Sequence, residues 1–147
     1  MNLKIIKTVH PIAGTVALLT IITFWTATIF SKMSGDVDLI IQVKTMILYG
    51  MILLIPSMAV LGFSGFKLGG RSTFPLIVSK RRKMPLVAMN GLLVLVPSAI
   101  LLKQMVMEGN FGIYYTIIQS IELIAGAVNI TLLFIAFRQG LKITKRI

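Results

Sequence analysis

Four stretches of almost uninterrupted apolar residues dominate the hydrophobic pattern of this 147-residue chain. A helix needs about 20 apolar residues to cross the roughly 30 Å hydrocarbon core of a membrane. Because lipid cannot hydrogen-bond to the backbone, and four segments are too few to close a barrel, the pattern predicts helices. We predict spans at about 11–31, 39–63, 85–107 and 113–137. The first stretch exceeds the ~7–15 residues of a signal-peptide core, so we expect it to be retained.

The polar segments between the predicted spans indicate how these spans are arranged. Residues 34–36 and 107–112 are short, so they predict antiparallel neighbours for spans one and two and for spans three and four. Residues 64–84 form the one sizeable connection, and we expect a cytoplasmic loop whose apolar residues lie among the lipid headgroups. Pro56 and Pro97 are expected to interrupt the hydrogen bonding of spans two and three. The predicted fold class is therefore an all-α integral membrane protein, a single antiparallel four-helix bundle.

Basic residues are concentrated on alternate sides of the predicted spans. Loops rich in Lys and Arg stay in the cytoplasm. Twelve of the fifteen basic residues precede span one, separate spans two and three, or follow span four: Lys4, Lys7, Lys67, Arg71, Lys80, Arg81, Arg82, Lys83, Arg138, Lys142, Lys145 and Arg146. We therefore predict that both termini are cytoplasmic, and that the protein lies in a bacterial inner membrane.

The composition supports a membrane protein and limits the classes of partner. The chain is 56% hydrophobic with a mean hydropathy of +0.94, whereas soluble domains are about 45–50% apolar. The net charge of +11 favours anionic phospholipids as partners, with Lys80, Arg81, Arg82 and Lys83 as the headgroup-binding residues. We expect no nucleic-acid binding, because aromatic residues are not spaced through the basic segment as a stacking surface would require.

The polar residues within the predicted spans are the main functional candidates, because charges are costly in lipid. Glu122 lies near the middle of span four, and Lys44 in span two is long enough to reach either Glu122 or the membrane surface. Lys103 lies at a similar depth in span three, and Asn90 and Asn129 are expected to hydrogen-bond between spans three and four. A helical step of 100° places one inward-facing stripe on span four: Tyr115, Gln119, Glu122, Gly126 and Asn129.

Three functional hypotheses follow from these residues. The leading one is a non-catalytic or accessory membrane subunit with a polar core around Glu122, because the chain shows no hydrolase triad, metal cluster or nucleotide-binding loop. A second is a small proton- or cation-coupled transporter using Glu122, although a relay normally needs another acidic group and no other lies within the spans. Because these catalytic motifs are missing from the sequence, we expect no enzymatic activity from the chain alone.

The third hypothesis is a b-type haem protein in electron transfer. His10 is the single histidine and lies at the start of span one, where it can act as an axial haem ligand or simply as an interfacial residue. The chain has no cysteine, which excludes covalent haem attachment and thiolate-bound clusters. A second axial ligand must therefore be a methionine or the His10 of another copy in a homodimer.

Overall fold

The computed structural model describes residues 2–145, which are helical throughout except for short connections. The helices are α1 (Leu3–Ser34), α2 (Val37–Gly69), α3 (Pro75–Asn90), α4 (Val96–Met107) and α5 (Ile113–Lys145). A π-helical turn, Gly91–Leu95, joins α3 to α4. Arg146 and the side chain of Lys145, two of the predicted cytoplasmic basic groups, lie outside the described residues.

Four long helices are apolar enough to cross a membrane: Leu3–Ser34, Val37–Gly69, Pro75–Met107 and Ile113–Thr144. The chain is 91% helical with no strand among the described residues, which confirms the predicted all-α class. The outward faces of these helices carry large apolar side chains, including Phe30, Ile52 and Phe66. Such a surface suits a hydrocarbon environment, because a soluble monomer rarely exposes extended apolar patches.

The expectation of a loop over residues 64–84 is wrong for most of that segment. α2 continues to Gly69 and α3 begins at Pro75, so only residues 70–74 are non-helical. Pro75 occupies the first turn of α3, where a missing backbone N–H costs nothing. Arg81 donates to the carbonyl of Gly70, which satisfies an acceptor just beyond the end of α2. The basic run therefore lies on a helix, with its side chains directed to different sides.

The two short connections are closed by local capping interactions. Gly35 ends α1 with φ 68°, a left-handed conformation that favours glycine. The Asp36 side chain then caps α2 by accepting from the backbone N–H groups of Asp38 and Leu39. Gly109, with φ 69°, has the same conformation in the connection before α5. We call this end of the bundle, with residues 35–36 and 108–112, the turn end; the opposite end, with residues 70–74, is the basic end.

The helices form a ring in which each packs against two neighbours. α1 contacts α2 and α5, and the continuous α3–α4 helix also contacts α2 and α5. The backbones of α1 and α3–α4 do not approach each other within the described residues, and neither do those of α2 and α5. These two pairs are therefore the diagonals of the bundle, and any contact between α2 and α5 must be made by long side chains.

The two prolines have different surroundings. α2 is continuous through Pro56. Next to Pro97, by contrast, the helix widens into the π-helical turn, in which the N–H of Val96 donates to the carbonyl of Gly91. The predicted interruption is thus present beside Pro97, and such widened turns are frequent at functional sites.

Candidate functional site

An ion pair crosses the centre of the bundle. Lys44 Nζ on α2 donates to Glu122 Oε2 on α5 at 2.6 Å, and the two side chains are 1% and 11% exposed. These helices are diagonal to each other, so the long lysine stem supplies the direct link between them. This is the one salt bridge present among residues 2–145.

The ion pair continues into a hydrogen-bonded chain along α5. Gln119 Nε2 donates to Glu122 Oε2 at 2.7 Å, and the Tyr115 hydroxyl contacts Gln119 Oε1 at 3.4 Å. Residues three or four apart lie on the same face of a helix, so the stripe on span four does face the interior. The structure thus brings Lys44, Gln119 and Glu122 together in a buried site without net charge.

Glu122 also borders a small cavity. Both strong donors bind Oε2, and no protein donor reaches Oε1 within the part of the chain that the structure describes. Glu122 lines a cavity of about 50 Å³ together with Thr28, Trp25 and Gly126. A polar cavity needs roughly 10–15 Å³ to hold one water molecule. The cavity has the volume for a water molecule, but its lining is largely apolar, with Glu122 and Thr28 among its few polar residues.

Two α1 side chains complete the wall of this cavity. Trp25 Nε1 donates to the carbonyl of Leu123 on α5 at 2.9 Å, which fixes the indole ring. Thr28 is only 3% exposed, and its hydroxyl makes no hydrogen bond within the described residues. Other threonines of α1, such as Thr20 and Thr26, instead donate to carbonyls of their own helix. Thr28 and Glu122 are thus two polar residues in an otherwise largely apolar lining.

A second polar contact joins α3 to α5 beside the π-helical turn. Asn90 Nδ2 donates to Asn129 Oδ1 and to the carbonyl of Ala125, both at 2.8 Å. Asn129 Nδ2 donates in turn to the carbonyl of Val87 at 3.3 Å. The structure therefore brings Asn90 and Asn129 together. Lys103, in contrast, is half-buried on α4 and makes no hydrogen bond or ion pair within residues 2–145.

His10 joins three helices at the basic end. Its Nδ1 lies 2.7 Å from Ser64 Oγ on α2, and its Nε2 lies 3.3 Å from Lys80 Nζ on α3. The Ser64 hydroxyl donates to the carbonyl of Val60 at 2.6 Å, so it accepts the Nδ1–H of His10. Nε2 is then the acceptor for the Lys80 ammonium.

This geometry does not fit haem ligation by His10. An axial imidazole binds iron through one ring nitrogen while the other ring N–H is hydrogen-bonded. Nδ1 of His10 has such a partner in Ser64, but Lys80 lies against Nε2, the nitrogen that would bind iron. Haem ligation by His10 therefore requires Lys80 to move away from Nε2, and the haem hypothesis stays a prediction.

The four consecutive basic residues have separate surroundings. Lys80 contacts His10, and Arg81 donates to the carbonyl of Gly70. Arg82 and Lys83 make no hydrogen bond or ion pair with any described residue. They line an open groove of about 440 Å³ on the surface of α3. The run expected to bind headgroups as one unit therefore has two members engaged within the protein and two available to a ligand.

Ser64 and Thr28 are the polar site residues that the sequence analysis missed. Ser64 lies between Gly62 and Gly65, and a Cβ on Gly65 would be 3.1 Å from His10 Cε1. Small residues on both sides of a serine in an apolar helix are a usable signal for a close polar contact. Thr28 gave no such signal, because α1 contains several threonines and the spacing does not distinguish one from another.

Comparison with known proteins found no matching family model, no matching curated protein and no matching solved structure. The class of protein is therefore inferred from the fold and the candidate site alone. The chain is an all-helical bundle whose four long apolar helices are compatible with a small integral membrane protein. Its interior contains one neutralised ion pair, with a small cavity beside it.

Proposed function

We propose that the chain is a membrane protein that serves as a non-catalytic or accessory subunit, and that the polar core around Glu122 holds its helices together. The observation that carries this proposal is the 2.6 Å contact between Lys44 and Glu122 across the diagonal of the bundle. An isolated charge within a bilayer is costly, whereas this pair is neutral as a whole. Polar contacts between helices stabilise membrane bundles, in which the hydrophobic effect contributes little to helix association.

The chemistry of the other polar groups supports a structural role. Ser64 is completely buried, and its hydroxyl donates to its own helix, so it is not available as a nucleophile. The Asn90–Asn129 contact gives the amide N–H groups of both residues acceptors between neighbouring helices. These polar groups therefore act as links between helices, and none has the exposure that a reacting group requires.

The charged and apolar surfaces of the bundle support a proposal for its membrane location and its partners. The basic residues at one end favour cytoplasmic termini and a bacterial inner membrane. The exposed apolar faces can pack against lipid. They can also pack against another subunit of a larger membrane complex or against a second copy of the chain. We propose the accessory role because such a subunit needs a stable bundle and no reactive centre.

A second candidate function is a small proton-coupled carrier. The specific observation in its favour is that Glu122 Oε1 has no donor within the described residues and that Glu122 borders the cavity of about 50 Å³. A carboxylate beside water can exchange a proton, which is the elementary step of a relay. This candidate requires a water path from the cavity to both ends of the bundle.

Proton flux in liposomes separates the two candidates. The purified full-length protein is reconstituted into liposomes containing a pH-sensitive dye, and a pH gradient is imposed. A structural core predicts that the flux equals that of empty liposomes, for the parent and for Glu122→Gln alike. Flux in the parent that Glu122→Gln abolishes overturns the structural proposal and selects the carrier.

A further inference from the structure

We propose that the open groove on α3 binds the phosphate group of an anionic phospholipid. The groove measures about 440 Å³, and its lining combines hydroxyl, basic and apolar side chains: Thr73, Pro75, Val78, Ser79, Arg82, Lys83 and Leu86. The inference rests on the proposed membrane location and adds a specific ligand to it. It also narrows the headgroup-binding set from four consecutive basic residues to two.

The first argument is the lack of acidic residues near the groove. The chain contains four acidic residues. Asp36 and Asp38 lie at the start of α2 and Glu108 follows α4, so these three are at the turn end. Glu122 is already paired with Lys44 in the core. The basic end therefore has no Asp or Glu side chain to pair with its cations, which favours an external anion.

The second argument is the availability of Arg82 and Lys83. Lys80 contacts His10 and Arg81 is held by a backbone carbonyl, so both help to fix the basic end. Arg82 is exposed and Lys83 is partly exposed. Neither makes a hydrogen bond or ion pair within residues 2–145. Two adjacent cations without protein partners in one groove favour an anionic ligand.

The third argument is the match between the lining and a phospholipid phosphate. The planar guanidinium of Arg82 can donate to two phosphate oxygens at once, and Lys83 adds a compact positive charge. Ser79 accepts a hydrogen bond from Gln139, which leaves its own hydroxyl proton free to donate.

The apolar part of the lining identifies lipid as the source of this phosphate. Leu86 lies seven residues beyond Ser79, about 10 Å along the helix axis at ~1.5 Å per residue. It is 57% exposed and lies toward the apolar part of the helix. A free phosphate ion gains nothing from Val78 or Leu86, whereas an acyl chain can pack against both.

The test is lipid binding by the full-length protein in detergent, measured by native mass spectrometry. Dioleoyl phosphatidylglycerol is titrated against the parent, R82Q/K83Q, and the matched control R138Q/K142Q. Arg138 and Lys142 are exposed residues near the same end, so both variants lose two positive charges. Because R82Q/K83Q removes the charge-assisted hydrogen bonds to the phosphate, we expect about thirtyfold weaker binding for this variant. The control should change by about threefold or less.

Four further measurements distinguish the possible interpretations. Melting curves by circular dichroism verify that both variants are folded. Titration with dioleoyl phosphatidylcholine separates headgroup charge from general lipid association, and recovery of each variant in the membrane fraction tests the proposed membrane location independently. Inorganic phosphate is added as a competitor, and we expect it not to displace the lipid.

Equal losses in the two variants would show that phosphatidylglycerol responds to net charge and would overturn the groove as a site. Unchanged binding in R82Q/K83Q overturns it as well. Displacement of the lipid by inorganic phosphate would identify free phosphate as the ligand and contradict the assignment to lipid. Loss of all variants from the membrane fraction would instead contradict the proposed membrane location.

Discussion

Removing the Glu122 carboxylate should destabilise the bundle by an amount that depends on the replacement. In Glu122→Leu, the Lys44 ammonium loses its acceptor at the centre of the bundle, and breaking a buried ion pair from one side costs about 3–5 kcal/mol. Lys44 lies seven residues after the start of α2 at Val37, about 10 Å along the axis at ~1.5 Å per residue. It can recover part of the loss by extending toward the turn end. We therefore expect about 2–4 kcal/mol of destabilisation.

Two further variants, Glu122→Gln and the double variant of Lys44 and Glu122, test whether the loss comes from the unpaired charge. Glu122→Gln keeps an oxygen that can accept from Lys44 and Gln119, so we expect a cost of about 1 kcal/mol. In Lys44→Met combined with Glu122→Leu, both charges are absent and apolar groups fill the space. Replacing a whole buried pair in this manner is often neutral, so the double variant should lie within about 1 kcal/mol of the parent.

Thermal unfolding in detergent is a direct assay, because Trp25 is the single tryptophan and contacts α5 beside the pair. At about 2–4 °C per kcal/mol for a chain of this size, Glu122→Leu should lower Tm by roughly 5–15 °C. The parent, Lys44→Met, Glu122→Leu and the double variant form a double-mutant cycle, from which the coupling between the two residues is obtained. If Glu122→Leu and Glu122→Gln both melt with the parent, or if the coupling is near zero, the argument for a stabilising diagonal pair fails.

Two further predictions concern the contacts between neighbouring helices. Asn129→Leu should destabilise the bundle by about 1 kcal/mol in the same melts, because it removes the links to Asn90 and to the Val87 carbonyl; equal stability would show that these bonds are idle. Gly126→Val should cost about 1–3 kcal/mol through overpacking and should shift the Trp25 emission, because a Cβ at Gly126 is already 3.0 Å from Trp25 Cδ1. Gly62→Val is the control, since a Cβ there meets no atom within 4 Å, and an equal loss in both variants would contradict the packing argument.

The polar stripe on α5 could be predicted from the sequence, because both the helical periodicity and the cost of placing charge in lipid require these side chains to face the interior of the bundle. A 100° step places Gln119 and Glu122 on one face, and polar groups must avoid lipid. The reach of Lys44 was also predictable from the length of its side chain. That this contact crosses a diagonal was not predictable, because it depends on which helices are neighbours in the ring.

The error over residues 64–84 has a local cause. Glycines and consecutive basic residues resemble a loop in composition, but Lys and Arg are good helix formers. The Phe74–Pro75 pair was the available signal, because proline in the first turn marks a helix start. The contact of His10 with Ser64 and Lys80 could not be predicted, since it requires the relative heights of three helices at the basic end.

The central claim is that four helices cross a membrane with the basic end in the cytoplasm, and its direct test is a topology measurement with reporter fusions. A reporter placed after Ile147 should be active on the cytoplasmic side, and one inserted at Gly109 in the turn end should be active on the opposite side. Both fusions should remain in the membrane fraction after alkaline extraction. Reporters on the same side, or release of the protein by alkali, would contradict the account.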